Sequence, residues 1–218
     1  MKKKHTVIFD LDGTLLDTLG DLSASVNHAL ARHGLPLRSR QEVRSFLGNG
    51  IRYLMERAVG EGVSPARFEE IFTTFRSHYV DHCMDTTAPY AGIMNLLGEL
   101  KRRGVSMAIV SNKLDPAVQQ LNRRFFAGYI GTAVGESATV RRKPNPDAVV
   151  KALAELGAAK EEAIYVGDSE VDLATARRAG IDCALCLWGF RDEGFLRSLE
   201  GADCFLREPA DLLQVCGL

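Results

Sequence analysis

Four short polar segments of this 218-residue chain carry residue types that could do chemistry together. Asp10-Leu-Asp-Gly-Thr14 sets the carboxylates of Asp10 and Asp12 directly behind the apolar run Thr6 to Phe9. Ser111-Asn112 follows the run Val105 to Val110, and Gly167-Asp168 follows Ala163 to Val166, with Asp172 one helical turn further on. Lys143-Pro144 is the fourth segment. In an open parallel sheet, ligands bind outside the carboxyl ends of the strands, near a topological switch point. Adjacent strands would therefore gather Asp10, Asp12, Ser111, Asn112 and Asp168 around one crevice. Carboxylates converging there repel one another unless a cation sits between them. An all-oxygen ligand set suits Mg²⁺, which keeps several waters and favours phosphate substrates. Each segment taken alone also has a plainer reading, as a turn, a helix cap, a solvated lysine or a charged helix start. Their joint order, each at a strand end or helix start, is what favours chemistry.

The elements that must position these residues alternate. The four apolar runs, the last around Ala184 to Leu187, are separated by helical periods. Ile93, Leu96, Leu97 and Leu100 recur at helical spacing and stop at Gly104; a second helix runs through Val149, Ala152, Leu153 and Leu156 to Gly157; a third spans Glu170 to Arg178 and ends at Gly180. Asp115-Pro116 and Asn145-Pro146 each read as an N-cap followed by proline at the first helical position. This predicts an α/β fold, a doubly wound parallel sheet with helices on both faces. From about residue 19 to residue 84 the rhythm breaks. Leu22, Val26 and Leu30, then Val43, Phe46 and Leu47, then Phe68, Ile71, Phe72 and Phe75 all recur at helical spacing, with breaks at Gly34 to Pro36, Gly48 to Gly50 and Gly60 to Pro65. A small all-helical module, 19–84, inserted into a core of 1–18 and 85–218 is the economical reading.

The four segments, in this order, resemble the motifs of the haloacid dehalogenase superfamily of phosphotransferases, and the helical insert is similar to that superfamily's small α-helical cap. Asp21-Leu22, Ser111-Asn-Lys113, Arg142-Lys-Pro-Asn-Pro146 and Trp188-Gly-Phe190 look most like its phosphoglycolate phosphatases. The resemblance implies an enzyme, a phosphoric monoester hydrolase with a Rossmann-like core. In it Asp10 attacks phosphorus to form an aspartyl phosphate, and Asp12 protonates the leaving alkoxide and then deprotonates water. Mg²⁺ is held by the Asp10 and Asp168 side chains and the Asp12 carbonyl. Ser111, Asn112 and Lys143 bind the phosphoryl oxygens. Asp172 orients metal waters or Lys143, and Thr14 either donates a hydrogen bond near the first strand end or is simply a helix-start residue. Arg52, just past the Gly48-Asn-Gly50 break, either pairs with a carboxylate on the leaving group or is a solvated arginine.

Composition narrows the alternatives. Hydrophobic residues make up 46% of the chain, and 27 Lys+Arg against 28 Asp+Glu leave a net charge of −1, so no basic excess points to nucleic acid. The longest apolar run, Cys183 to Phe190, is far too short to span a bilayer. Met1-Lys2-Lys3-Lys4 imitates a secretory start, but Asp10 and Asp12 interrupt the stretch behind it, and a cytoplasmic location is expected. The expected partner is a small phosphorylated metabolite, and the chain a monomer or homodimer. Cys183 and Cys186 share C-x-x-C spacing but fall on a strand, where residues three apart face opposite ways. His78 and His82 read as solvated helix residues. A carbon–halogen hydrolase has no alkoxide for Asp12 to protonate. A sugar-phosphate mutase of this superfamily carries an Arg-Gly-x-Ser-Arg cap motif, where this chain has Leu47-Gly-Asn-Gly-Ile-Arg52. A binding module on the same fold would be expected to have lost one of Asp10, Asp12, Lys143 or Asp168, and all four are present.

Overall fold

The computed structural model describes residues 3–202 and 204–218, so Met1-Lys2 of the signal-like start lies outside it. Its elements run β1 (Thr6–Phe9), β2 (Leu16–Asp17), α1 (Leu19–Arg32), α2 (Arg40–Ser45), α3 (Gly50–Val59), α4 (Pro65–His82), β3 (Ala88–Pro89), α5 (Ile93–Arg102), β4 (Ser106–Leu114) and α6 (Asp115–Phe125). They continue through β5 (Thr132–Glu136), α7 (Asp147–Leu156), β6 (Ala163–Gly167), α8 (Glu170–Ala179), β7 (Asp182–Cys186), α9 (Glu193–Ser198), β8 (Phe205–Leu206) and α10 (Asp211–Val215). The chain forms two compact units, one of Asp17–Ala88 and one of the segments before and after it.

The larger unit is built on a six-stranded sheet ordered β5-β4-β1-β6-β7-β8, and every pairing is parallel. A parallel sheet needs cover on both faces, so its strands are apolar throughout rather than alternating. Val7, Ile8 and Phe9 of β1 are accordingly all buried, although they point to opposite faces. On one face, Ile8, Ala108, Val110 and Tyr165 pack against Val149, Ala152 and Leu153 of α7 and Ala176 and Ala179 of α8. β1 lies between β4 and β6, so the connections diverge on either side of it, and the carboxyl ends of these three strands border the switch point.

Local signals placed most elements and misplaced some ends. α7 and α8 stop at Gly157 and Gly180, both left-handed, as their stop signals predict. Of the two proline-marked helices, α6 starts one residue sooner than expected and α7 one residue later, and the side chains meant to cap them are engaged elsewhere. Asp115 is the first residue of α6, and its carboxylate accepts from Gly135 N at 2.9 Å, tying the helix to β5. α7 begins at Asp147, while Asn145 Nδ2 donates to Arg142 O within the preceding loop. β5 and β8 went unrecognised in the sequence. They are short edge strands, without the long apolar run that marks the central ones.

The smaller unit contains α1–α4, with α1 against α2 and α4. Leu22, Val26, Ala29 and Leu30 of α1 and Ile71, Phe72, Phe75 and Tyr79 of α4 are its buried faces. His78 departs from the solvated reading: its ring is stacked between His28 and His82, at centroid distances of 4.0 and 4.2 Å, and its Nδ1 lies 3.0 Å from Ser25 Oγ. Asp21, 2% exposed, closes the unit. One carboxylate oxygen accepts from Thr86 N at 2.9 Å and Thr86 Oγ1 at 2.5 Å, the other from Thr87 N at 2.9 Å and Thr87 Oγ1 at 2.7 Å.

Burial pushes the Asp21 carboxyl up, but these four bonds favour its ionised form and hold it below its usual range. A depressed folded pKa contributes stability that is complete above the unfolded value, near 4, and is lost as pH falls through the folded one. Asp21→Ala should therefore cost about 1–3 kcal/mol at neutral pH, and that deficit should shrink in acid. Thermal unfolding of parent and variant at pH 7 and pH 3 checks both.

Candidate active site

The sequence of β1 runs out of apolar residues at Phe9, and the backbone then turns so that Asp10 stands at the strand's carboxyl end, 7% exposed. Gly13 carries the turn with φ of +90°, and a Cβ there would strike Asp168 and Phe190, so the position needs glycine both for its conformation and for its contacts. On the neighbouring strand, β6 delivers Asp168 and opens α8, whose N-cap Ser169 and third residue Asp172 form a reciprocal capping box. A Cβ at Gly167 would overlap the Asp172 side chain, which is how that helix start comes so close to the strand end.

Lys143, 4% exposed, sits among these carboxylates. Its Nζ lies 2.7 Å from Asp10 Oδ1 and 2.7 Å from Asp172 Oδ1, and donates to the Tyr165 hydroxyl at 3.1 Å. An ammonium has three N–H donors, and here each has an acceptor. Asp172 completes the anchorage: its Oδ2 accepts from Asp168 N, Ser169 N and Ser169 Oγ at 3.1, 3.0 and 2.6 Å. Asn112 holds Lys143 from the other side, accepting from Lys143 N at 2.6 Å and donating to Lys143 O at 3.3 Å. β4 does not end at Val110 but continues to Leu114 with a shift of register, so Ser111 is buried within it. Ser111 Oγ accepts from Lys113 N at 3.2 Å. Asp168 Oδ2 accepts from Phe190 N at 2.7 Å, its Oδ1 lies 3.5 Å from Thr14 Oγ1, and Trp188 Nε1 donates to Thr14 O at 3.1 Å.

The structure thus brings together Asp10, Asp12, Thr14, Ser111, Asn112, Lys143, Asp168 and Asp172 in one unit. Asn112, whose backbone was expected at phosphate, uses its side chain to hold the Lys143 backbone. Arg52 lies in the helical unit, where its guanidinium grips Glu69 with two hydrogen bonds of 2.8 and 3.0 Å and covers the Phe68 and Phe72 rings. Two residues were overlooked. Tyr165 belongs to the apolar run of β6 and has no polar motif around it. Lys113 was read only as part of a family cue, yet its Nζ lies 3.0 Å from Asp12 Oδ1.

Carboxylate oxygens of Asp10, Asp168 and Asp172 lie within 4.8 Å of one another, against the single ammonium of Lys143. The imbalance is visible in the acidities. Burial lifts Asp10 well above the usual carboxylate range, with Lys143 opposing and Asp172 and Asp168 adding to the rise. Burial, then Asp172, lifts Asp168 to about 7. Burial lowers Lys143, but Asp10 and Asp172 outweigh it and keep the ammonium charged. Hard oxygen donors with negative charge in excess are what a divalent cation such as Mg²⁺ fits. Because Asp172 already accepts from Lys143, the Tyr165 hydroxyl, Asp168 N, Ser169 N and Ser169 Oγ, Asp10 and Asp168 are the side chains left to hold one.

An acid whose folded pKa is raised stabilises the fold below its unfolded value, near 4, and loses that contribution as pH rises to the folded value, here about 7. Metal-free protein should therefore lose stability between these pH values, by up to about 1.4 kcal/mol per pH unit from this group. Asp168→Asn should remove that part of the slope, and Mg²⁺ should raise the Tm of the parent above pH 7 far more than that of the variant. Thermal unfolding in chelator and in Mg²⁺ measures all three.

Known proteins are similar to this chain over most of its length. The profile of the haloacid dehalogenase-like hydrolases matches residues 7–186. A phosphoglycolate phosphatase of Aquifex aeolicus is 33% identical over 97% of this chain and 96% of its own length. An N-acetylmuramic acid 6-phosphate phosphatase of Pseudomonas aeruginosa is 30% identical over 96% of this chain and 93% of its own. Among solved structures, a phosphoglycolate phosphatase candidate from Lactobacillus delbrueckii subsp. bulgaricus superposes with a TM-score of 0.94 at 32% identity, covering 98% of both chains. With its motifs set around the switch point of one parallel sheet, the chain belongs to the haloacid dehalogenase-like hydrolases, as an enzyme of the phosphoric monoester hydrolase class.

Proposed function

We propose that this hydrolase is a Mg²⁺-dependent phosphoglycolate phosphatase that works through an aspartyl phosphate. The observation that carries the chemistry is the buried Asp10 carboxylate at the end of the central strand, 2.7 Å from Lys143. An Asp10 oxygen attacks phosphorus and the bond to the leaving oxygen breaks; Asp12 supplies that oxygen with its proton. Water then attacks the aspartyl phosphate, returning a proton to Asp12 and releasing phosphate, so one difficult displacement becomes two easier ones. Lys143 and Ser111 neutralise the phosphoryl oxygens, while Tyr165, Asn112 and Asp172 keep the ammonium in place. A bound Mg²⁺, held by Asp10 and Asp168 with the Asp12 carbonyl, supplies charge neutralisation at the transferring phosphoryl group.

Support for phosphoglycolate comes from the Aquifex aeolicus phosphatase, similar to this chain along nearly its whole length. A phosphorylated amino sugar is the second reading, favoured by the similarity to the Pseudomonas aeruginosa enzyme. In both, residues 19–84 act as the cap of a catalytic core formed by 1–18 and 85–218. The reading includes a cytoplasmic location; no helix among the described residues is long and apolar enough to cross a membrane.

Phosphate release from a panel of phosphomonoesters, ranked by kcat/KM, separates the two readings, and preference for the amino-sugar phosphate would overturn the first. Chelation should stop turnover and Mg²⁺ restore it. Asp10→Asn should lower kcat by at least about 10³-fold with its Tm retained, because an amide cannot form the acyl phosphate. Substantial turnover by a folded, deamidation-free variant would remove the covalent step.

A further inference from the structure

Lys113 is the second ammonium of the site, and the phosphoryl chemistry gives it no task. Its side chain is 6% exposed, its Nζ is 3.0 Å from Asp12 Oδ1, and the Asp12 side chain is 22% exposed. The lysine is therefore more deeply buried than the acid it pairs with. The three donors of Lys143 are already met by Asp10, Asp172 and Tyr165.

A phosphoester whose leaving group carries its own carboxylate presents a second anion to a site that already holds Asp10, Asp12, Asp168 and Asp172. That anion is repelled unless a cation faces it at the leaving-group end. Reach can be checked from bond lengths. To protonate the leaving oxygen, Asp12 must come within about 2.7 Å of it. With the Lys113 contact kept and Oδ1 making both contacts, Nζ lies no more than about 6 Å from the leaving oxygen. In a 2-hydroxy acid the carboxylate oxygens stand about 3 Å from that same oxygen, so a carboxylate turned toward Nζ can meet it with no movement of the backbone. An ammonium has three N–H donors and can hold Asp12 and a second carboxylate at once. Charge-assisted bonds of this kind are at their strongest where water is excluded, as it is around Lys113.

We propose that Lys113 is the specificity-determining residue of this enzyme: it bridges Asp12 to a carboxylate on the leaving group and selects phosphoesters of short 2-hydroxy acids. The inference rests on the phosphatase reading above and deepens it. Arg52, which one of its two readings placed in this role, pairs with Glu69.

The test compares phosphoglycolate with the phosphoester of glycolamide, which has the same shape without the charge, by kcat/KM in Mg²⁺. The parent should prefer the acid by roughly 10- to 100-fold. Lys113→Met should reduce that preference to less than about 3-fold, whatever it does to both substrates through Asp12, and Lys113→Arg should retain much of it. Should Lys113→Met not fold, Lys113→Gln is judged by the same ratio, and the parent's own preference needs no variant. Equal efficiency on both substrates in the parent, or a neutral variant that keeps the parent's preference, overturns the role of Lys113 and leaves the phosphatase reading standing. No phosphate release from any monoester by the parent overturns both.

Discussion

Lys143 is a buried cation surrounded by acceptors, and most of the local architecture serves to keep it so. Removing an ammonium from water costs several kcal/mol unless its hydrogen bonds are replaced and its charge is matched. Asp10, Asp172 and the Tyr165 hydroxyl meet both conditions. The same ion pair holds Asp10, the proposed nucleophile, in place, since that residue is itself buried among like charges. Asp172 must in turn be fixed, which the capping box at Ser169 does, and the close approach of that box to β6 requires glycine at 167. A capping motif, a glycine and a tyrosine in the apolar core are thus linked through one ammonium.

The constraint has a cost in stability. Three carboxylates against one lysine leave excess negative charge in a low-dielectric pocket, and the raised pKa of Asp168 reflects how poorly the fold tolerates it. A better balanced site would be more stable and would attract a divalent cation less. Rate acceleration in phosphoryl transfer is largely positioning and charge stabilisation, so the strain falls at the place where a metal and a phosphoryl group would relieve it. The rest of the unit compensates with a sheet buried on both faces.

Two ammonium groups divide the site chemically. Lys143 lies among Asp10, Asp172 and Tyr165, beside the proposed nucleophile. Lys113 lies next to Asp12, the proposed acid–base residue. On that proposal the two carboxylates have opposite duties, attack at one and proton transfer at the other. A cation beside the nucleophile acts on the group being transferred, and one beside the acid acts on the group that departs.

Much of this was legible in the residues alone. The central strands are buried on both faces, so they read as unbroken apolar runs, and a run that stops at Asp10 or Asp168 marks a strand end whatever the rest of the chain does. The helix stops at Gly157 and Gly180 are equally local, being set by backbone conformation. β5 escaped notice because an edge strand of Thr132-Ala-Val-Gly-Glu136 lacks that run. Tyr165 and Lys113 escaped for a different reason. Tyr165 looks like any aromatic of a buried strand until its hydroxyl is seen to reach Lys143, and Lys113 meets Asp12 across 101 residues of sequence. The side-chain partners of Asn112 and Arg52 were equally hidden, because the Lys143 backbone and Glu69 lie 31 and 17 residues away in sequence. Hydrophobic period and turn chemistry act over a few residues, so the sequence determined which central elements form and where the strand-end aspartates stand. Ion pairing and hydrogen bonding act through space, so only the tertiary structure decided which cation each carboxylate receives.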